Sequence, residues 1–236
     1  MPPSGFFNSV TAARLHQIPL PLDLQQSTLL HVAVPAPHHA SAARGVRGHK
    51  VQLMGGDSRD LRGLKVSTPA RLWCELAAEL SLADLVAAGD YIIHWRWPLC
   101  SLQQLQQAVA RYPGRKGRAT LRMALTLLDN RAESARESVL RVMLALGGIH
   151  GLQANLRVRV RGMNFRIDLA LPRYKLALEY QGVHHNDPEQ WRKDMSKREI
   201  LATVGWHTME INADDLRGTE LVERIRIVIA GRPTFD

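Results

Sequence analysis

Apolar residues recur at two different spacings along this chain, and the change from one to the other divides it. Thr11–Gln17 is a short helical stretch, followed by the proline-punctuated segment IPLPLDL and an apolar run, Leu29–Val34. Residues 35–48, rich in Pro, Ala, Gly and His, predict a surface loop. From Thr68 the pattern is helical: Thr68 caps, Pro69 takes the first helical position, and Leu72, Trp73, Leu76, Ala77 and Leu80 recur at helix spacing. Ser81 with Asp84, and Ser101 with Gln104, open two further helices, the second stopping at Pro113-Gly114. Trp73, Trp95 and Trp97 are expected in a core or a domain interface rather than as base-stacking platforms.

Beyond residue 130 the period alternates between helix and strand. A helix is predicted over Glu133–Leu146, then strands over Leu156–Arg161 and Asn164–Leu171, where apolar and polar residues alternate. Lys175–Gln181 is almost continuously apolar, as a central strand would be. A helix from Asp187-Pro188 to about Val204, a strand over Trp206–Ile211 and a helix from Asn212 to Ile229 complete the order α-β-β-β-α-β-α. The expected fold class is α/β, with a C-terminal domain over 119–236 preceded by a mainly helical α+β region over 1–118.

Composition narrows the function classes. Hydrophobic residues make up 45% and charged residues 22%, and no apolar run reaches the roughly 20 residues a bilayer span requires. MPPSGFFNSV lacks a basic n-region and an apolar h-region, and Cys74 and Cys100 show no metal-ligand spacing, so a cytoplasmic protein without membrane attachment is expected. The net charge of +9 favours a polyanionic partner. Residues 1–130 hold most of the excess, with 14 Lys+Arg against 8 Asp+Glu. Arg111, Arg115, Lys116 and Arg118 lie in a glycine-bearing loop that could grip phosphates or serve as a solvated linker. Its glycines do not fit the P-loop pattern. His38-His39 has no third ligand nearby and reads as a solvated loop pair.

The chemistry concentrates on the strands after residue 160. Side chains two apart share a strand face, so Glu179 and Gln181 lie with Ala177, and Asp168 with Arg166 and Ala170. A hairpin around Pro172-Arg173 would set Asp168 beside Glu179. A carboxylate inside LALEYQG is costly unless paired, hydrogen-bonded or metal-bound. Two adjacent carboxylates repel, and a hard cation such as Mg2+ or Mn2+ relieves that repulsion. Ala170 and Ala177 would leave room for water and phosphate oxygens. Surface ion pairs, Asp168 with Arg166 or Glu179 with Lys175, are the alternative. The reaction expected of a metal site here is phosphodiester hydrolysis.

RAESARESVLRVML, FRIDLALPRYKLALEYQGVHH and WRKDMSKREILATVGWHTMEI together resemble an endonuclease-like domain common in actinobacterial proteins. That domain is similar to the very-short-patch repair endonuclease and to the PD-(D/E)XK superfamily, and the resemblance spans roughly residues 131–217. It implies a restriction-endonuclease-like αβββαβ(α) fold, DNA as substrate and magnesium or manganese as cofactor. In the pattern D-x(10)-E-x-Q, Asp168 and Glu179 match the superfamily's metal-binding acids, and Glu137 its helical acidic residue. Gln181 departs, since the superfamily has lysine there and this family often aspartate, and glutamine supplies neither a cation nor a base. The resemblance offers His184, His185, Arg192 and Lys193 as replacements, with a histidine after the strand favoured. Arg166, Arg192 and Lys193 are further candidates for nucleic-acid contact. Asp194 and Arg198 also match the family, though an i,i+4 ion pair explains them equally.

SVTAARLHQIPLP, HVAVPAP and TPARLWCELAAELSLADLVAAGDYII resemble a region of actinobacterial proteins related in part to type IV abortive-infection antitoxins. That implies a protein partner of the toxin–antitoxin kind. The winged helix usual before it is expected to be lacking, which weakens a repressor reading. Two functions therefore stand: a metal-dependent DNA endonuclease in repair or defence, and a non-catalytic nucleic-acid-binding or antitoxin-like regulator on a degenerate nuclease fold.

Overall fold

The computed structural model describes residues 4–180, 188–218 and 220–235, with the side chains of 188–194 and 217 left out. It is mixed α/β and divides into two compact units, residues 1–130 and 131–236. The division falls twelve residues beyond the basic loop where the sequence places it.

The first unit holds β1 (Phe6–Phe7), α1 (Ser9–Leu15), α2 (Leu22–Gln25), β2 (Leu30–Pro35), β3 (Val46–Val51), β4 (Ser58–Leu61) and β5 (Leu64–Ser67). Helices α3 (Pro69–Leu76), α4 (Leu82–Ile92), α5 (Leu102–Arg111) and α6 (Arg118–Leu127) follow. Its strands form one five-stranded mixed sheet in the order β3-β2-β1-β5-β4. Helix α6 packs against α4 and α5, which is why the unit extends to residue 130. Two of the expected caps are present: Ser81 Oγ accepts the Asp84 N–H at 3.2 Å, and Ser101 and Gln104 close a reciprocal capping box. Thr68 stands at the N-cap of α3, but its hydroxyl caps nothing and donates instead to the Gly56 and Asp57 carbonyls.

The basic loop is a structured corner. Gly117 has φ +77°, and a Cβ there would lie 2.2 Å from the Ala77 carbonyl, so only glycine lets the loop close on α3. Arg118 donates to the Tyr112 carbonyl at 2.8 Å, and Arg111 reaches Asp57 at 3.2 Å. Two of the four residues considered for phosphate contact are thus engaged inside the unit, while Arg115 and Lys116 are exposed. Trp73 is buried and donates to the Leu85 carbonyl, as expected of a core residue. Trp95 and Trp97 are exposed instead.

His31 and His49 stack with ring centroids 5.1 Å apart, and His49 Nε2 lies 3.2 Å from His31 Nδ1. Burial, then the charges of His49 and Arg47, push His31 down from 6.5 to about 4. Burial also lowers His49 and His16. His31 therefore stays neutral in the folded unit until the pH nears 4, whereas in the unfolded chain it takes up a proton near 6.5. Stability is therefore full above that value and is lost as pH falls from it toward 4. The urea midpoint of this unit is expected to drop between about pH 7 and about pH 5, and His31→Gln with His49→Gln to flatten that decline. An equally steep decline in the double variant would remove the histidines as its cause.

The second unit contains α7 (Ala135–Leu146), β6 (Gln153–Val160), β7 (Met163–Leu171), β8 (Leu176–Tyr180), α8 (Pro188–Ala202), β9 (His207–Ile211) and α9 (Glu220–Ala230). This is the order predicted, with two short 3-10 turns at Pro172–Tyr174 and Asp215–Arg217. Asn212 caps the second of these, accepting the N–H groups of Asp214 and Asp215, and α9 starts later than expected. The sheet order is β6-β7-β8-β9; the first three strands are antiparallel, and β9 runs parallel to β8 after the α8 crossover. Leu140 and Leu144 of α7 and Leu221, Val222 and Ile225 of α9 pack with Leu169, Leu171, Leu176, Leu178 and Ile211. Leu201 of α8 and Trp206 pack with Ala170 and Ala177. The unit is thus a sheet with helices contributing to two separate apolar clusters.

Candidate carboxylate site

β7 and β8 pair through Leu169↔Leu178, Ala170↔Ala177 and Leu171↔Leu176. The pairs end at Leu169; carried one step further, this register would set Asp168 against Glu179. The turn that fixes the register is tight: Pro172 starts a 3-10 turn, and Lys175 takes φ +44° before the chain re-enters the sheet. Beyond Leu169 the Asp168 side chain replaces a backbone acceptor, its Oδ2 taking the Tyr180 N–H at 3.2 Å. On the other flank the β6–β7 ladder pairs Ala154↔Leu169 and Leu156↔Ile167 but omits Asn155 and Asp168, and Asn155 has φ +51°. Both ladders involving β7 are therefore interrupted at Asp168.

The interruption breaks strict alternation. Ile167 packs with Ala170 and Ala177 rather than with Leu169, and Arg166 reaches Glu133, 3.6 Å away, near the start of α7. Among the described residues neither surface pair considered from the sequence is seen: Arg166 meets Glu133, and Glu179 meets Lys197. Lys175 donates to the Val204 carbonyl at 2.9 Å and lies 4.3 Å from the Phe235 ring centroid. Ala170 and Ala177 are fully buried, so their small size admits Leu201 and Trp206 rather than water and phosphate.

Glu137 joins from the first turn of α7, where Ser134 caps the helix by accepting the Glu137 N–H at 3.2 Å. Its carboxylate accepts the Glu133 N–H at 3.2 Å and Asn155 Nδ2 at 3.1 Å. Burial raises the Glu137 carboxyl above the ordinary carboxylate range, and the negative charge of Asp168 raises it further; the bonds from Glu133, Ser134 and Asn155 partly offset this. Asn155 Oδ1 is buried without a hydrogen-bond partner among the described residues.

Lys197 of α8 lies 2.7 Å from Glu179 Oε1, both side chains mostly shielded from solvent. Sequence reading passes over it, because a lysine on a polar helix is normally solvated and nothing local connects it with a strand 18 residues away. Helix α8 places it: Leu201, one turn on, anchors the helix in the cluster with Ala170 and Ala177, and Lys197 at i−4 shares its face. Arg198 pairs with Glu210, which stands beside Glu179 in the β8–β9 register. Arg136 lies over the Tyr180 ring, 5.4 Å from its centroid, and donates to its hydroxyl.

Gln181, His184 and His185 lie outside the described residues, as do the side chains of Arg192, Lys193 and Asp194. Among the described residues no three His, Cys, Asp or Glu side chains are grouped so that they could hold a metal ion. The oxygen donors gathered here are Asp168, the Glu137 carboxyl that its charge raises and the orphaned Asn155 amide oxygen, while Glu179 on the next strand is paired with Lys197. Magnesium keeps several waters and needs few protein oxygens. No described helix is long and apolar enough to cross a membrane.

No protein-family model matches the chain, and no solved structure matches it significantly. Two uncharacterized Mycobacterium tuberculosis proteins, MT2308 of strain CDC 1551 / Oshkosh and Rv2248 of strain ATCC 25618 / H37Rv, are each 28% identical to it over 209 residues. That alignment covers 88% of this chain and 74% of each relative, so it includes parts of both compact units.

Proposed function

We propose that residues 131–236 form a restriction-endonuclease-like domain that hydrolyses phosphodiester bonds in DNA with magnesium or manganese. The observation that supports this reading is that Asp168, one step beyond Leu169↔Leu178, turns its Oδ2 to the Tyr180 N–H where the ladders on both sides of β7 break off. Asp168 and Glu179 are the metal ligands, and Glu137 adds negative charge from the neighbouring helix. A bound divalent ion would polarise a phosphoryl oxygen and acidify a water. Asn155 and the backbone of Glu133 orient Glu137, while Tyr180 N–H fixes one oxygen of Asp168. Lys197 supplies the positive charge that Gln181 cannot, next to the carboxylate where negative charge builds during phosphoryl transfer.

The test is nicking of supercoiled plasmid by the full chain with magnesium or manganese, against the same reaction in EDTA. Metal-dependent nicking is expected, and Lys197→Met is expected to slow it on the order of 10²–10³-fold, with Lys197→Arg restoring part of the rate. A purely structural ion pair would instead change thermal stability and leave nicking intact. Salt-sensitive DNA binding without any nicking would favour a non-catalytic regulator.

A further inference from the structure

The first unit carries a feature that the carboxylate site does not use. Four consecutive residues, His94-Trp95-Arg96-Trp97, close the corner after α4. Trp95 is 45% and Trp97 65% exposed, whereas Trp73 and Trp206 are buried. Leaving two indoles in water forfeits burial that a core position would provide. The rings are held at a fixed place on the surface. Trp95 N–H donates to the Asn130 carbonyl at 3.0 Å, and Leu99 N–H to the Ile92 carbonyl at 2.8 Å, pinning both ends of the corner. The Arg96 guanidinium lies over both indoles, 4.8 Å from one centroid and 5.0 Å from the other. Buried His94 stacks on Trp97 at 5.9 Å and 19°.

We propose that Trp95, Arg96 and Trp97 form a stacking site for the unpaired bases of single-stranded DNA. Every base presents a π face to an indole, and Arg96 adds a cation for the strand's phosphates. The charge of the surrounding unit agrees, with 14 Lys+Arg against 8 Asp+Glu in residues 1–130. An apolar protein partner would fit less well, because covering the corner would bury the Arg96 charge between the rings. The inference rests on DNA being the partner and adds the strandedness of what is bound.

The experiment uses the full chain in EDTA, which blocks cutting. Binding of a fluorescein-labelled oligothymidylate of about twelve nucleotides is followed by anisotropy, alongside a duplex of the same length. The single strand is expected to quench indole emission. Trp95→Ala and Trp97→Ala are each expected to weaken single-strand binding on the order of tenfold, Trp97→Phe to keep most of it, and duplex binding to change little. Equal losses on duplex and single strand, or alanine variants that bind the oligothymidylate like wild type, would overturn the proposal. So would self-association that Trp97→Ala abolishes while single-strand binding is untouched. Plasmid nicking with magnesium is scored separately on the same variants, so that this site can fail while the nuclease reading stands, and the reverse.

Discussion

Asp168→Asn and Glu179→Gln are each expected to reduce magnesium-dependent nicking by more than about 100-fold while leaving the second unit folded. A group that only orients a metal ligand costs up to about 100-fold in affinity or activity, so a direct ligand should cost more. Folding should survive for a local reason. The asparagine amide would keep an oxygen acceptor for the Tyr180 N–H now bound by Asp168 Oδ2. The substitution also removes a negative charge that raises the Glu137 carboxyl, so repulsion inside the folded unit falls. Thermal stability should therefore hold or rise in Asp168→Asn. Glu179→Gln breaks the contact with Lys197, a partly shielded pair, and a small loss is expected there. A marked fall in melting temperature with Asp168→Asn, and no change in nicking, would identify Asp168 as a structural strand residue.

The largest expected effect on stability lies in the first unit, at Arg71. Its Nη1 meets Asp57 at 2.8 Å and its Nε meets Glu75 at 2.9 Å, all three side chains being almost completely buried. Glu75 also accepts Ser9 N–H at 3.1 Å and Ser67 Oγ at 2.8 Å, tying α1, β5 and α3 together. The guanidinium stands over the Tyr112 ring, 4.9 Å from its centroid. Burial alone would lower the Arg71 pKa, but Glu75 and Asp57 more than offset it, and the net shift is upward. Removing the cation leaves two carboxylates buried with far less compensation, Arg111 still reaching Asp57 from a half-exposed position. Arg71→Met should destabilise the unit by about 3–5 kcal/mol in urea unfolding. Lysine should recover only part of this, since one ammonium cannot reproduce the two-sided geometry. A loss below about 1 kcal/mol, the range of exposed pairs, would mean that water reaches these carboxylates.

The second unit is legible in the sequence because its strands announce themselves. LALEY is apolar on both faces, FRIDLAL alternates, and an acid inside such a run demands a partner. The expectation that Asp168 comes near Glu179 follows from that register. Two things are not legible. Asn155 in a left-handed conformation, which interrupts alternation at Asp168, is a local choice that tertiary packing makes. Lys197 reaches Glu179 only because the α8 crossover returns to the sheet, a long-range contact that no spacing reveals. In the first unit, nothing in the pattern marks β3 and β4, because VRGHKV and SRDL are short and polar and their stabilisation comes from backbone pairing. Size alone places Trp95 and Trp97 inside. Their exposure follows from a corner that turns away from the core between Asn130 and Ile92.

Manganese binding to the full chain, followed by loss of the free-ion paramagnetic signal, tests the carboxylate site most directly. Wild type should take up manganese, the Asp168→Asn, Glu179→Gln double variant should take up at least one ion fewer per chain, and magnesium should displace that ion. Identical uptake by wild type and the double variant would contradict a metal centre between these two strands.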